Sequence, residues 1–152
     1  MKQKDIFIGK IKKFNPILYD KYDTPARDKI KEKLNGYVQD NPDIYKEDMI
    51  LNIPSCKYKY LELQVCTHWI TDKYPYPNAY VYARKKLFSD DTLFLILDKH
   101  MTNALLFDKK SLLSEPKRLR KYSRIYIYEV PWHRIMMISI DDLDIDILKM
   151  YY

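Results

Sequence analysis

A chain of 152 residues has the length of one domain, and a domain of this size buries about two thirds of the surface its unfolded chain exposes. Apolar residues make up 47% of it and there are fifteen tyrosines, which exclude a disordered chain; two glycines exclude a Gly-rich phosphate loop, and neither a Walker A nor a GxGxxG pattern occurs. The formal net charge of +6 is a mild bias toward polyanionic partners.

In chain order, Asp5 to Phe14 carries Ile6, Ile8 and Ile11 among lysines and reads as a short strand or an ordered arm. Thr24-Pro25 resembles an N-cap followed by proline at the first helical position, where its missing N–H costs nothing. Ala26, Ile30, Leu34 and Val38 then recur at four-residue steps, which predicts a helix from about Pro25 to Asn35 with Gly36 closing it. Asn41-Pro42-Asp43 breaks the chain before a short apolar strand, Asp48 to Ile53. Pro54-Ser55 turns that strand toward the next one, so a hairpin is the simplest pairing.

Lys57 to Cys66 alternates with period two, as a half-buried strand does. Leu61, Leu63 and Val65 share one face; Tyr58, Tyr60, Glu62, Gln64 and Cys66 share the other. Thr67 to Asn78 is polar and aromatic, and Pro75 and Pro77 stop regular structure there; Tyr74-Pro75-Tyr76-Pro77 reads as an exposed loop of the kind found at interfaces. Ala79 to Phe88, Thr92 to Leu97 and Ala104 to Phe107 are further strands, with turns at Ser89-Asp90-Asp91 and Asp98-Lys99-His100. Ser111 to Arg124 is basic and reads as a short helix or a loop broken by Pro116. Ile125 to Val130 and Ile135 to Ile140 are β-prone, and the acidic tail aligns Leu143, Ile147 and Leu148 on one helical face. No repeat or linker interrupts residues 1–152, which predicts a single α/β domain, a mixed β-sheet flanked by a few helices.

The chemical signal is Glu62-Leu63-Gln64 with Asp48 upstream. A carboxylate and an amide two residues apart lie on one side of a strand, and an acid from the neighbouring strand would complete a divalent-metal site. Hydrolysis of a phosphodiester needs a hard cation held by oxygens, which lowers the pKa of bound water and screens phosphate charge. Glu47 and Asp43 compete with Asp48 for that place, because strand registers read from sequence slip by two residues or more. A plain amphipathic strand pointing Glu62 and Gln64 to solvent is the equally open reading.

A helix, a strand bearing Asp48, then a strand bearing Glu62-Leu63-Gln64 resembles the PD-(D/E)XK nuclease-like superfamily, over roughly Thr24 to Phe107. The resemblance implies that fold, with Asp48 and Glu62 holding Mg²⁺ or Mn²⁺. It also implies a catalytic trio of Asp48, Glu62 and Gln64, with Gln64 where the family motif has a lysine that orients or stabilises the attacking water. That departure matters: an amide hydrogen-bonds but carries no charge and releases no proton. Glu62 to Phe107 is also similar to open reading frames of large DNA viruses, a likeness that carries no activity with it. The implied function is metal-dependent cleavage of nucleic acid, DNA ahead of RNA. The alternative is a non-catalytic nucleic-acid-binding or virion-associated structural protein that kept the fold.

Phosphate contacts would come from the segment Lys109 to Arg124, where seven cations face the single acid Glu115; Lys117, Arg118, Arg120 and Lys121 are its centre. Solvated surface explains the same residues equally well. Tyr80-Val81-Tyr82-Ala83-Arg84-Lys85-Lys86 would line a groove through Arg84 and Lys85, although alternating tyrosines also suit ordinary sheet packing. Asp90-Asp91 reads as a turn. His68, His100 and His133 are scattered, and Cys56 and Cys66 form no CxxC, so neither zinc nor a disulfide framework is expected. Met1 to Asp5 has no apolar leader and no run reaches eighteen apolar residues, which leads to an intracellular expectation with reduced thiols and no membrane span.

Overall fold

In the computed structural model, residues 19–118 and 125–151 are described. The described residues form a mixed α/β fold with nine strands in two sheets and two α-helices. Helix α1 spans Thr24–Lys33 and buries Ala26 and Ile30, with Leu34 buried just beyond its end. Thr24 is not the expected N-cap. A π-helical turn, Tyr19–Asp23, runs straight into the helix, so the backbone is already helical where a cap would stand. Gly36 lies in the turn beyond the helix, at φ 87°, a left-handed conformation that a Cβ would strain. Val38, the fourth residue of the apolar stripe, lies on strand β1 (Val38–Asp40).

Strand β2 (Met49–Leu51) and strand β3 (Tyr60–Cys66) pair antiparallel, with Met49 opposite Leu61 and Ile50 opposite Tyr60, as the hairpin reading expected. Ser55 turns the chain between them at φ 61°. The chain then leaves the sheet through strand β4 (Ala79–Tyr82) and a 3₁₀ turn, Ala83–Leu87. It returns as β5 (Thr92–Asp98), parallel to β3. The strand expected over Ala79 to Phe88 therefore ends at Tyr82, and its second half is the 3₁₀ turn.

β5 is buried along its whole length, because it is a near-continuous apolar run in the middle of the larger sheet with both faces covered. β6 (Asn103–Asp108) pairs antiparallel with it, stacking Phe107 on Phe94 at 5.5 Å between ring centroids. Strand β7 (Lys117–Arg118), strand β8 (Tyr126–Val130) and strand β9 (Met136–Ser139) come next in the chain. β9 closes a six-stranded sheet in the order β1-β2-β3-β5-β6-β9, and β4-β8-β7 form a separate three-stranded sheet. Among the described residues no helix is long and apolar enough to cross a membrane.

The C-terminal helix α2 (Ile145–Met150) is capped by Asp144, whose Oδ1 accepts from the Ile147 N–H at 2.9 Å. Tyr151, just beyond the helix, is tied down by a buried polar knot. Asp108 accepts from the Tyr58 hydroxyl at 2.9 Å and from the Ser111 hydroxyl at 2.9 Å, and Arg134 lies 3.4 Å from it. Ser111 and Tyr151 share a hydrogen bond of 3.0 Å, and Tyr151 donates to the Arg134 carbonyl. Burial, with the Asp108 carboxylate beside it, pushes the Tyr58 phenol pKa far up, which keeps that proton in place for donation. Asp108→Ala should cost about 3 kcal/mol in urea unfolding, since it strands donors that water cannot reach. A loss below about 0.5 kcal/mol, the ordinary scatter of a surface substitution, would show that the knot does not hold the C-terminus.

Candidate functional site

The register of β2 on β3, carried one step further, sets Asp48 opposite Glu62. Their contacts agree. The Asp48 N–H donates to Glu62 Oε1 at 3.0 Å, and the Leu63 N–H donates to Asp48 Oδ2 at 2.9 Å. The two strands thus fix both carboxyl groups by backbone hydrogen bonds in both directions. On the other side Glu62 lies in register with Phe94, which lies in register with Phe107. One row across the sheet reads Asp48, Glu62, Phe94, Phe107.

Glu62 is 7% exposed. The solvent-facing reading is corrected for Glu62, while Gln64 is half-buried: α1 and the π-turn before it pack on β3, and Phe94 stands in register beside Glu62. Burial pushes the Glu62 pKa up to about 7, with the Asp48 charge adding to it, against the lowering by Lys85.

Lys85 is the partner. Its Nζ lies 3.1 Å from Glu62 Oε2 and donates to Gln64 Oε1 at 3.3 Å. The Gln64 amide is oriented from its far side, donating through Nε2 to the Tyr80 carbonyl at 3.2 Å. Lys85 is 5% exposed, so it is no part of an outer groove. The 3₁₀ turn that cuts strand β4 short is what delivers it.

Arg27 of α1 completes the cluster, with NH2 2.7 Å from Asp48 Oδ1 and NH1 donating to the Asp48 carbonyl at 2.9 Å. Asp23, at the end of the π-turn, is the third acid and was not legible in the sequence. Its carboxyl is crowded by the protein around it; that crowding first, then the Asp48 charge, raise its pKa against Lys85 and Arg27. Glu47 and Asp43 drop out. Glu47 is buried elsewhere, accepting from the Ser89 N–H at 2.9 Å and the Thr92 hydroxyl at 2.7 Å. Asp43 is exposed and accepts from the Tyr45 N–H.

Asp48 and Glu62 therefore lie beside one another on adjacent strands, with Gln64 reaching the same lysine as Glu62, and the groups that sequence reasoning missed are Arg27 and Asp23. Lys85 was expected on the surface. Among the described residues no three His, Cys, Asp or Glu side chains gather closely enough to hold a metal ion by themselves. The oxygen donors that a cation would have to use, the Asp48 and Glu62 carboxyl groups and Gln64 Oε1, are each already engaged by protein groups. A cation entering there would compete with Lys85 and Arg27.

Of the expected phosphate contacts, Arg84 is half-buried with its guanidinium 5.4 Å from the Tyr82 ring centroid. Lys117 is exposed and lies 3.4 Å from Glu129, and Arg118 is exposed on β7. Arg120 and Lys121 lie outside the described residues. Lys109 is turned away to Asp90 at 3.0 Å and the Phe88 carbonyl at 2.7 Å. Cys56 and Cys66 are free thiols, and His68 pairs with the Tyr76 hydroxyl at 2.6 Å.

No protein-family model matches the chain, and no curated protein or solved structure is detectably similar to it. The site is therefore argued from its own geometry.

The raised Glu62 pKa has a sign. Between about 4.5 and about 7 the folded protein keeps a proton that the unfolded chain has already released, so stability falls as pH rises through that window and levels off above it. Glu62→Gln, an uncharged stand-in for the protonated carboxyl, should flatten that part of the profile. Denaturant midpoints measured across the window test this; an unchanged slope in the variant would assign the titration to other groups.

Proposed function

We propose that this protein is a metal-dependent nuclease of PD-(D/E)XK-like architecture, cleaving phosphodiester bonds at Asp48, Glu62 and Gln64 with Lys85 as the active-site cation. The observation that carries this reading is the position of Lys85. The charge that Gln64 lacks arrives from the 3₁₀ turn and reaches the same carboxylate and the same amide oxygen. Helix α1, the β2–β3 hairpin and the parallel strand β5 support the same architecture.

Asp48 and Glu62 would hold Mg²⁺ or Mn²⁺, with Gln64 Oε1 beside them. Such a cation, when bound, lowers the pKa of its water and neutralises charge on the phosphate. Lys85 supplies a fixed positive charge where negative charge grows on the phosphoryl oxygens, and Gln64 positions it. Arg27 holds Asp48 in place from the side of the helix. Glu62 ionises on binding, because a carboxylate ligand must shed its proton.

A second reading has its own observation. All four oxygens of Asp48 and Glu62 already accept from, or pair with, protein groups, as a closed structural network would have them. That is the arrangement of a nucleic-acid-binding or structural protein that kept the fold without the chemistry.

Mn²⁺ titration, followed by melting temperature, and cleavage of plasmid, single-stranded DNA and RNA separate the two readings. The nuclease reading expects Mn²⁺ to stabilise the wild type and not Glu62→Ala. It expects Lys85→Ala to bind Mn²⁺ and to cleave roughly 10²-fold more slowly, the usual loss for one fixed group facing transition-state charge. Gln64→Lys introduced into Lys85→Ala should restore part of that rate. A folded wild type that neither responds to Mn²⁺ nor cleaves any of the three substrates establishes the structural reading.

A further inference from the structure

We propose that Tyr76, Tyr80, Tyr82 and Arg84 form a stacking track for unpaired nucleobases, so that the site acts on single-stranded nucleic acid or on the frayed end of a duplex. The inference rests on the nuclease reading and names its substrate class.

The track and the site are built from the same stretch of chain. Strand β4 pairs with β8 along one edge, and at its other edge the Tyr80 carbonyl accepts from Gln64. Three residues beyond Tyr82 the chain places Lys85 against Glu62. A strand of nucleic acid lying on Tyr80 and Tyr82 is thereby led toward the acids.

β4 has two unlike faces. Ala79 and Val81 are fully buried in the core, while Tyr80 and Tyr82 are half-buried and stand outside the core cluster. Ordinary sheet packing would bury those rings, and an ordinary solvated face would carry polar side chains at those positions. Instead the rings continue one another. Tyr76 lies 5.9 Å from Tyr80, and Tyr80 lies 6.3 Å from Tyr82, each edge to face.

The base of the track is rigid. Tyr74-Pro75-Tyr76-Pro77 was expected to be an exposed loop, but Tyr74 is buried, packed edge-on to Trp69 at 5.3 Å, to Tyr76 at 5.8 Å and to Trp132 at 5.7 Å. Trp132 holds the loop through a hydrogen bond from its Nε1 to the Pro77 carbonyl at 2.8 Å. The rings are therefore set in place before any ligand arrives, and little conformational freedom remains to be lost on binding.

At the far end the Arg84 guanidinium lies over Tyr82, adding positive charge where a phosphate would pass. Aromatic faces bind bases whose own faces are open, which a paired and stacked duplex does not offer.

The test is fluorescence anisotropy with labelled strands in EDTA, so that neither metal binding nor cleavage enters the measurement. The probes are oligothymidylate, oligouridylate, a duplex, and an abasic strand of equal length. Oligothymidylate or oligouridylate should bind more tightly than the duplex and than the abasic strand, and whichever of the two is preferred assigns DNA or RNA. Tyr80→Leu and Tyr82→Leu should each weaken single-strand binding about tenfold, as loss of one stacked base does. Tyr82→Phe should retain it. An abasic strand or a duplex bound as tightly as the base-bearing strand overturns the track, and this comparison uses only the wild type. A protein that binds single strands in this manner but never cleaves them refutes the nuclease reading and leaves the track standing.

Discussion

A carboxyl group buried in a β-sheet is the constraint on which the rest of this structure turns. Glu62 lies in a row that ends in two stacked phenylalanines, on a strand whose other face is also covered. Burial of a carboxyl group without partners is costly whether or not it is ionised, so the fold supplies them from separate stretches of chain: the Asp48 N–H from the neighbouring strand and Lys85 from the crossover. Asp48 in turn draws Arg27 from the helix. The hairpin, α1 and the β3–β5 crossover are therefore bound to one another through a few polar atoms as well as through the apolar core.

Much of this was legible in the sequence. Period-two alternation placed Leu61 and Leu63 in the core, and the Pro54-Ser55 turn led correctly to the antiparallel hairpin that sets Asp48 opposite Glu62. The four-residue stripe of Ala26, Ile30 and Leu34 located α1 within two residues at its C-terminal end. These signals are local, and each depends on a repeat that a single element imposes on its own side chains.

The features that escaped were non-local. Nothing in the run Tyr80 to Lys86 announces that its strand stops at Tyr82, because Arg84 and Lys85 suit an exposed strand as well as a 3₁₀ turn. The turn is tied to Lys85 meeting Glu62, a partner twenty-three positions back in the chain. The burial of Glu62 depends likewise on Phe94, which becomes its neighbour only through the parallel register of β3 and β5. The second sheet was hidden for the same reason: β4 pairs with β8 across nearly fifty residues, and no short-range pattern marks such a partner. Asp23 carries no sequence signal at all beyond its place just ahead of Thr24-Pro25.

The route by which Lys85 reaches the acids also bears on how the site would work. A lysine at position 64 would rise from the strand itself, its stem fixed by the rigid centre of the sheet. Lys85 instead descends from a turn whose backbone is held at both ends, by β4 before it and by the Lys85 carbonyl accepting from the Phe88 N–H after it. Its ammonium is tied to Glu62 and Gln64, and Gln64 is tied to the Tyr80 carbonyl on the same crossover. The Gln64 amide both accepts from the Lys85 ammonium and donates to the Tyr80 carbonyl, so one side chain joins β3 to β4 and to the turn that follows it.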